Sequence, residues 1–116
     1  MLTDRMFKHT KIFDTQWYAL DLDDDDLAEL QNEICDDPTR PPVIPRTGGI
    51  RKIRVKQDGR GKSSGARVLY GDFPKHGIVY LFAIYPKSVK ENIDEDERKA
   101  LKAMMAQINK EWMERK

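Results

Sequence analysis

Residues 46–70 read RTGGIRKIRVKQDGRGKSSGARVLY, and the reading of this stretch decides the fold. Two short runs of β-branched and aliphatic residues flank a segment rich in Gly, Ser and Lys, the pattern of two strands joined by a loop. Ile50–Lys56 alternates cleanly. Successive side chains of a strand point to opposite faces, so Arg51, Ile53 and Val55 share one side and Ile50, Lys52, Arg54 and Lys56 the other. The second set is mostly cationic, so that side is expected to be open and the Ile53/Val55 side buried. Thr47-Gly48-Gly49 makes the entering turn. In the second run Arg67, Leu69, Gly71 and Phe73 alternate with Ala66, Val68 and Tyr70. The stretch carries eight bases (Arg46, Arg51, Lys52, Arg54, Lys56, Arg60, Lys62, Arg67) against one acid, Asp58. A strand pair so charged is suited to a polyanionic partner.

Downstream, Pro74-Lys75-His76-Gly77 is a tight turn. Ile78–Tyr85 (IVYLFAIY) is apolar on both faces, the mark of a central strand. Residues 50–85 therefore read as an antiparallel meander. Asp94 and Glu97 then form a capping box, and Leu101, Met104, Met105, Ile108 and Trp112 recur at helical spacing, a stripe that packs on the sheet. Upstream of the meander, a brief strand around Arg5–Lys8 is compatible with the pattern. Thr10 can cap a helix from Lys11 to Leu20 whose Phe13, Trp17 and Leu20 share a face. A second helix begins at Asp23, carries Leu27, Leu30 and Ile34 on one side, and ends at Asp37-Pro38 before a stiff linker with Pro41, Pro42 and Pro45.

The run Asp23-Asp24-Asp25-Asp26 invites a metal-site reading. A helix start explains it better: Asp23 caps, and the acids that follow sit at the positive end of the helix dipole. Consecutive helical residues diverge around the axis, and the EF-hand spacing is absent. Residues 12–37 hold ten acids and no Lys or Arg, so the helical hairpin is expected to present an acidic surface turned away from an anionic partner.

A chain of 116 residues suits a single α+β domain, residues 1–116, in which the hairpin and the C-terminal helix pack on a curved sheet of three to four antiparallel strands. Its one cysteine, Cys35, rules out an internal disulfide framework and fits a reducing cytoplasm, with the thiol buried. No run approaches the length of a membrane span, and the N-terminus lacks the apolar core of a secretory signal. A cytoplasmic protein without membrane contact is expected.

Conventional catalytic sets are missing. His9 and His76 are the only histidines, and no nucleophile triad, phosphate-binding glycine loop or metal-ligand cluster is readable, so no cofactor is expected. Cations on a sheet can nevertheless do chemistry on RNA, which supplies its own nucleophile, the 2′-OH. Cleavage then requires alignment, stabilisation of an anionic phosphorane, and two proton transfers. Arg suits the second task through its fork of donors. Like charges nearby disfavour a protonated lysine, and Lys52, flanked by Arg54 and Lys56, is the expected base. Tyr70 and Tyr85 are candidates to stack on bases or donate a proton. A plain RNA-binding module is the alternative.

The run TGGIRKIRVKQDGRGKSSGARVLY, the apolar strand ending Tyr85-Pro86-Lys87 and the terminal LKAMM helix together resemble the HigB-like branch of the RelE/ParE toxin superfamily. The resemblance covers nearly the whole chain and is best from Arg46 to Lys87. It implies a ribosome-dependent mRNA endoribonuclease that needs no metal and inhibits translation as the toxin of a type II toxin–antitoxin system. It also implies a helix-turn-helix, HigA-like antitoxin that neutralises the toxin, with operator DNA reached only through that antitoxin. In RelE-type enzymes a Lys-hydrophobic-Lys strand and an Arg on the next strand carry the chemistry. The matching positions here are Lys52, Arg54 and Arg67, with Lys87 matching a cation at the end of the last strand. No Tyr follows Tyr85 to match the C-terminal catalytic Tyr of RelE, so Tyr85 and Tyr70 are the substitutes. Lys56, Arg60, Lys62 and Tyr70 are the expected RNA contacts. ParE-like relatives share the fold and inhibit DNA gyrase without cleaving RNA; the concentration of cations on one sheet face favours the RNA reading.

Overall fold

The chain runs β1 (Met6–His9), α1 (Lys11–Ala19), α2 (Asp24–Asp36), β2 (Arg51–Val55), β3 (Ala66–Phe73), β4 (Ile78–Pro86), α3 (Glu95–Glu114). The structure, a computed structural model, describes residues 4–56, 65–89 and 92–114. The four strands form one sheet in the order β1-β4-β3-β2. The antiparallel meander is present: β2 pairs with β3 from Arg51↔Tyr70 to Val55↔Ala66, and β3 with β4 from Ala66↔Pro86 to Phe73↔Ile78. The register shifts between Leu69 and Tyr70.

β1 makes the sheet mixed where the sequence suggested antiparallel strands only. It lies parallel to β4, Met6 against Ile78 and His9 against Leu81. The Met6 N–H donates to Gly77 O and the Thr10 N–H to Leu81 O, fixing both ends of the pairing. With β1 in place, β4 is interior, as its two apolar faces require.

The helical hairpin covers one face of the sheet. Phe13, Trp17, Leu22, Leu30 and Ile34 pack against Ile53, Val68, Tyr70, Val79, Leu81 and Ile84. Full burial of each large side chain is worth about 1.5–3 kcal/mol, and this layer is the larger part of the core. The Thr10 hydroxyl accepts from the Phe13 N–H and donates to Phe82 O, tying the start of α1 to β4. Asp23 and Asp26 exchange side-chain-to-backbone bonds of 2.8 and 2.9 Å, a reciprocal cap. Those aspartates thus start a helix, and among the described residues no three His, Cys, Asp or Glu side chains converge as metal ligands.

α3 covers the other face. Asp94 and Glu97 form the expected capping box, at 2.8 and 3.1 Å. Leu101, Met105 and Ile108 then pack on Ile50, Leu69, Phe73, Ile78, Phe82 and Tyr85. Met104, the outermost member of the expected stripe, is exposed. The approach is close at Gly71: a Cβ there would lie 2.5 Å from Met105 Sδ and 3.2 Å from Phe82 Cε2.

The proline linker wraps the free edge of β2. Ile44 N–H donates to Ile50 O and Lys52 N–H to Pro42 O. Arg51 Nη1 donates to Thr39 O at 2.8 Å and Pro41 O at 2.6 Å, and the Tyr70 hydroxyl to Pro38 O at 2.7 Å. Ile50, expected on an open side, is fully buried under α3, so the cationic face is open over only part of its length.

Candidate active site

Strand register assembles the site. Arg54 on β2 lies directly opposite Arg67 on β3, and Arg67 lies directly opposite Tyr85 on β4. Side chains so paired share a face, which makes Arg54, Arg67 and Tyr85 one row across the sheet. Lys52, two residues before Arg54, belongs to the same face and opposes Leu69. Lys87 follows the end of β4, its N–H bonded to Gly65 O at 3.0 Å, so the chain after β4 is held to the start of β3. Gly65 borders the site: a Cβ there would stand in ordinary contact, 3.4 Å from Arg54 Nε and 3.4 Å from Val55 O.

The exposures are graded. Arg54 is exposed, Lys52, Arg67 and Lys87 are half-buried, and Tyr85 is 6% exposed, at the margin of the α3 cluster. Arg67 Nη1 is buried with no hydrogen-bond partner among the described residues. A buried guanidinium nitrogen without an acceptor is costly to the fold and well placed for an anion. Burial pushes the Tyr85 phenol above its ordinary pKa, Glu97 pushes it further, and Arg67 pulls it back. The arrangement offers cations for a phosphate and one proton donor beside them.

Glu97, which the sequence assigns to the helix cap, does pair with Asp94 at the start of α3. It is half-buried and lies on the sheet-facing stripe of α3, one turn before Leu101. The spacing 97, 101, 105, 108 carried that signal.

The other expected contacts divide. Lys56 is exposed just beyond β2. Arg60 and Lys62 lie outside the described residues. Tyr70, expected to touch RNA, has no surface to do so: it is fully buried beneath the helical hairpin, and the same burial raises its pKa. Arg51 points to the linker, on the opposite face from Lys52 and Arg54. The histidines stay apart. His9 Nδ1 lies 2.9 Å from Asp14 Oδ1, while His76 lies on the Trp112 ring at 6.2 Å. Cys35 is half-buried, and burial raises its pKa.

The acidic hairpin is not turned away from the cations. Asp26, Glu29 and Glu33, one stripe of α2, face Arg54 and Lys56 across a groove of ≈ 510 Å³ floored by Leu30 and Val55. The site thus has an acidic wall along the β2 edge.

The geometry agrees with two comparisons. The family model for the RelE toxin of the RelE/RelB toxin–antitoxin system matches residues 4–115. Among solved structures, the chain is similar in fold to a double-mutant E. coli toxin RelE in the free state, with a TM-score of 0.55 and 15% sequence identity. That match covers 77% of this chain and 90% of the other. No helix among the described residues is long and apolar enough to cross a membrane. The chain belongs to the RelE toxin family and is the toxin of a type II toxin–antitoxin system, the partner of an antitoxin.

Proposed function

We propose that this toxin is a ribosome-dependent mRNA endoribonuclease of the HigB-like branch, acting in the cytoplasm and held in check by a HigA-like helix-turn-helix antitoxin. The antitoxin, in this reading, is what contacts operator DNA. One observation carries the proposal: the row Arg54, Arg67 and Tyr85, with Lys52 beside it on the same face. The substrate brings its own nucleophile, so the protein must hold and polarise one phosphate. Arg54 and Arg67 bind its non-bridging oxygens and stabilise the negative charge that builds in the phosphorane. Lys52 and Lys87 add positive charge around the same group. Tyr85 donates a proton to the departing 5′ oxygen. The ribosome supplies the alignment of the message that so small and open a site cannot supply alone.

The test is to add the purified protein to a reconstituted bacterial translation reaction and map mRNA 5′ ends. New ends should arise on messages engaged by ribosomes and be absent from the same RNA without them. Translation arrest without new ends overturns the proposal. Concurrent inhibition of gyrase would point to the ParE-like activity; salt-dependent RNA binding alone would point to a binding module.

A further inference from the structure

Tyr85 reaches the cation row through a break in strand alternation. Along β4, Val79 and Leu81 pack under the helical hairpin, while Ile78, Tyr80 and Phe82 pack under α3. Unbroken alternation would put Ala83 and Tyr85 with Leu81, in the hairpin core and on the far side of the sheet from Arg67. The ladder with β3 instead passes from Tyr70↔Leu81 to Leu69↔Ala83, so Phe82 is an extra residue in β4. Phe82 and Ala83 consequently both face α3, Ile84 turns into the hairpin core, and Tyr85 comes out opposite Arg67. A bulge of this kind re-aims the side chains that follow it. The device that holds it is α1. β1 pairs with β4 only as far as His9↔Leu81, and among the described residues no strand flanks β4 on that side beyond this point. Two side chains take the place of a strand. The Thr10 hydroxyl donates to Phe82 O at 2.7 Å, and Gln16 Oε1 accepts the Ile84 N–H at 3.0 Å, so the two bonds bracket Ala83. Phe13 and Trp17, both fully buried, hold this side of α1 against the sheet.

Resting on the ribonuclease reading above, we infer that Gln16 is a positioning residue of this toxin: with Thr10 it clamps the β4 bulge, and the clamped bulge sets Tyr85 in the row with Arg54 and Arg67. Gln16 acts through the backbone of Ile84, the residue before Tyr85. Thr10 has a second duty, since its hydroxyl also accepts the Phe13 N–H at 3.0 Å and so caps α1. Gln16 is therefore the member of the pair whose removal tests the clamp without uncapping the helix. A one-residue slip of β4 would exchange the faces of Ile84 and Tyr85, which the apolar hairpin core opposes. What Gln16 controls is the smaller freedom left to the bulged backbone, and catalysis is sensitive to displacements on that scale.

Gln16→Met keeps the length of the side chain and removes the acceptor. Single-turnover cleavage on translating ribosomes should fall about 10- to 10²-fold, the scale of a misplacement of about 1 Å, with ribosome binding unchanged. Gln16→Glu keeps an oxygen at the same reach and should restore most of the rate. Gln16→Asn keeps the amide but falls short of Ile84, and should lose rate as Met does, so the effect is readable even where the Met variant folds poorly. In a Tyr85→Phe background, already slow, Gln16→Met should cost less than about twofold more, because no proton donor remains to be positioned. A Met or Asn variant that melts earlier yet cleaves at the wild-type rate has lost only stability and overturns the assignment. So does a loss that is undiminished in the Tyr85→Phe background. Either result leaves the ribonuclease reading standing. A wild-type protein that makes no cuts on translating ribosomes takes both down together.

Discussion

Under α3 the sheet carries Ile50, Leu69, Phe73 and Phe82, packed so closely that Gly71 has no space for a methyl group. A few residues along the same strands, the same face carries Lys52, Arg54, Arg67 and Tyr85. Both regions share strands and backbone. They differ in how far the helix covers them: Leu101, Met105 and Ile108 pack over the first and reach only Tyr85 of the second, leaving Arg54 exposed. At the covered end close packing stabilises the domain; at the other end Arg67 Nη1 is buried without a hydrogen-bond partner among the described residues. Strand parity chooses the side of a residue, and the layer above the sheet decides what it does there.

The sharpest way to break the comparison is to make the cationic end resemble the covered one. Arg67→Met should reduce cleavage by about 10²–10³-fold, the usual cost of removing one donor from an anion-stabilising site. It should hold or raise the Tm, because it removes an unsatisfied buried nitrogen. Cleavage kinetics and thermal melts on the same protein check both halves, and a fall in Tm would show that Arg67 serves the fold. The reverse experiment overfills the covered end. Gly71→Val should destabilise by about 1–3 kcal/mol, visible as a lower denaturation midpoint. The fraction that remains folded should cleave at a normal rate, since Gly71 is beneath Met105 and away from the cation row. The smallest effect is expected from the acidic wall. Replacing Glu29 and Glu33 together by Gln should tighten ribosome binding about two- to threefold at low salt. The gain should vanish near 0.5 M salt, where exposed charges are screened. Equal binding at low salt would mean that the wall does not sense the RNA.

Much of this was readable from residue order. The alternation of Ile50–Lys56 separated Lys52 and Arg54 from Arg51, and Arg51 bonds the linker on the other side. The caps at Asp23 and Asp94 were visible because a capping box is a local pattern. Features made by contact between distant segments were not. Tyr70 was a candidate to stack on bases or donate a proton, yet β3 is interior and buried on both faces. The acidic run announced a charged helix without saying which element it would face; its partner across the groove is the cationic β2. Gly71 resembled an ordinary strand glycine until Met105 came down on it.

The parallel pairing of β1 with β4 also sets a schedule. β1 has its partner far downstream in the chain, Met6 against Ile78 and His9 against Leu81. Contacts so far apart in sequence form late, because a long loop must close before they contribute. The row at the site waits for the same strand, since Tyr85 is on β4. A nascent copy of this toxin therefore has neither a closed sheet nor a complete site until β4 has left the ribosome.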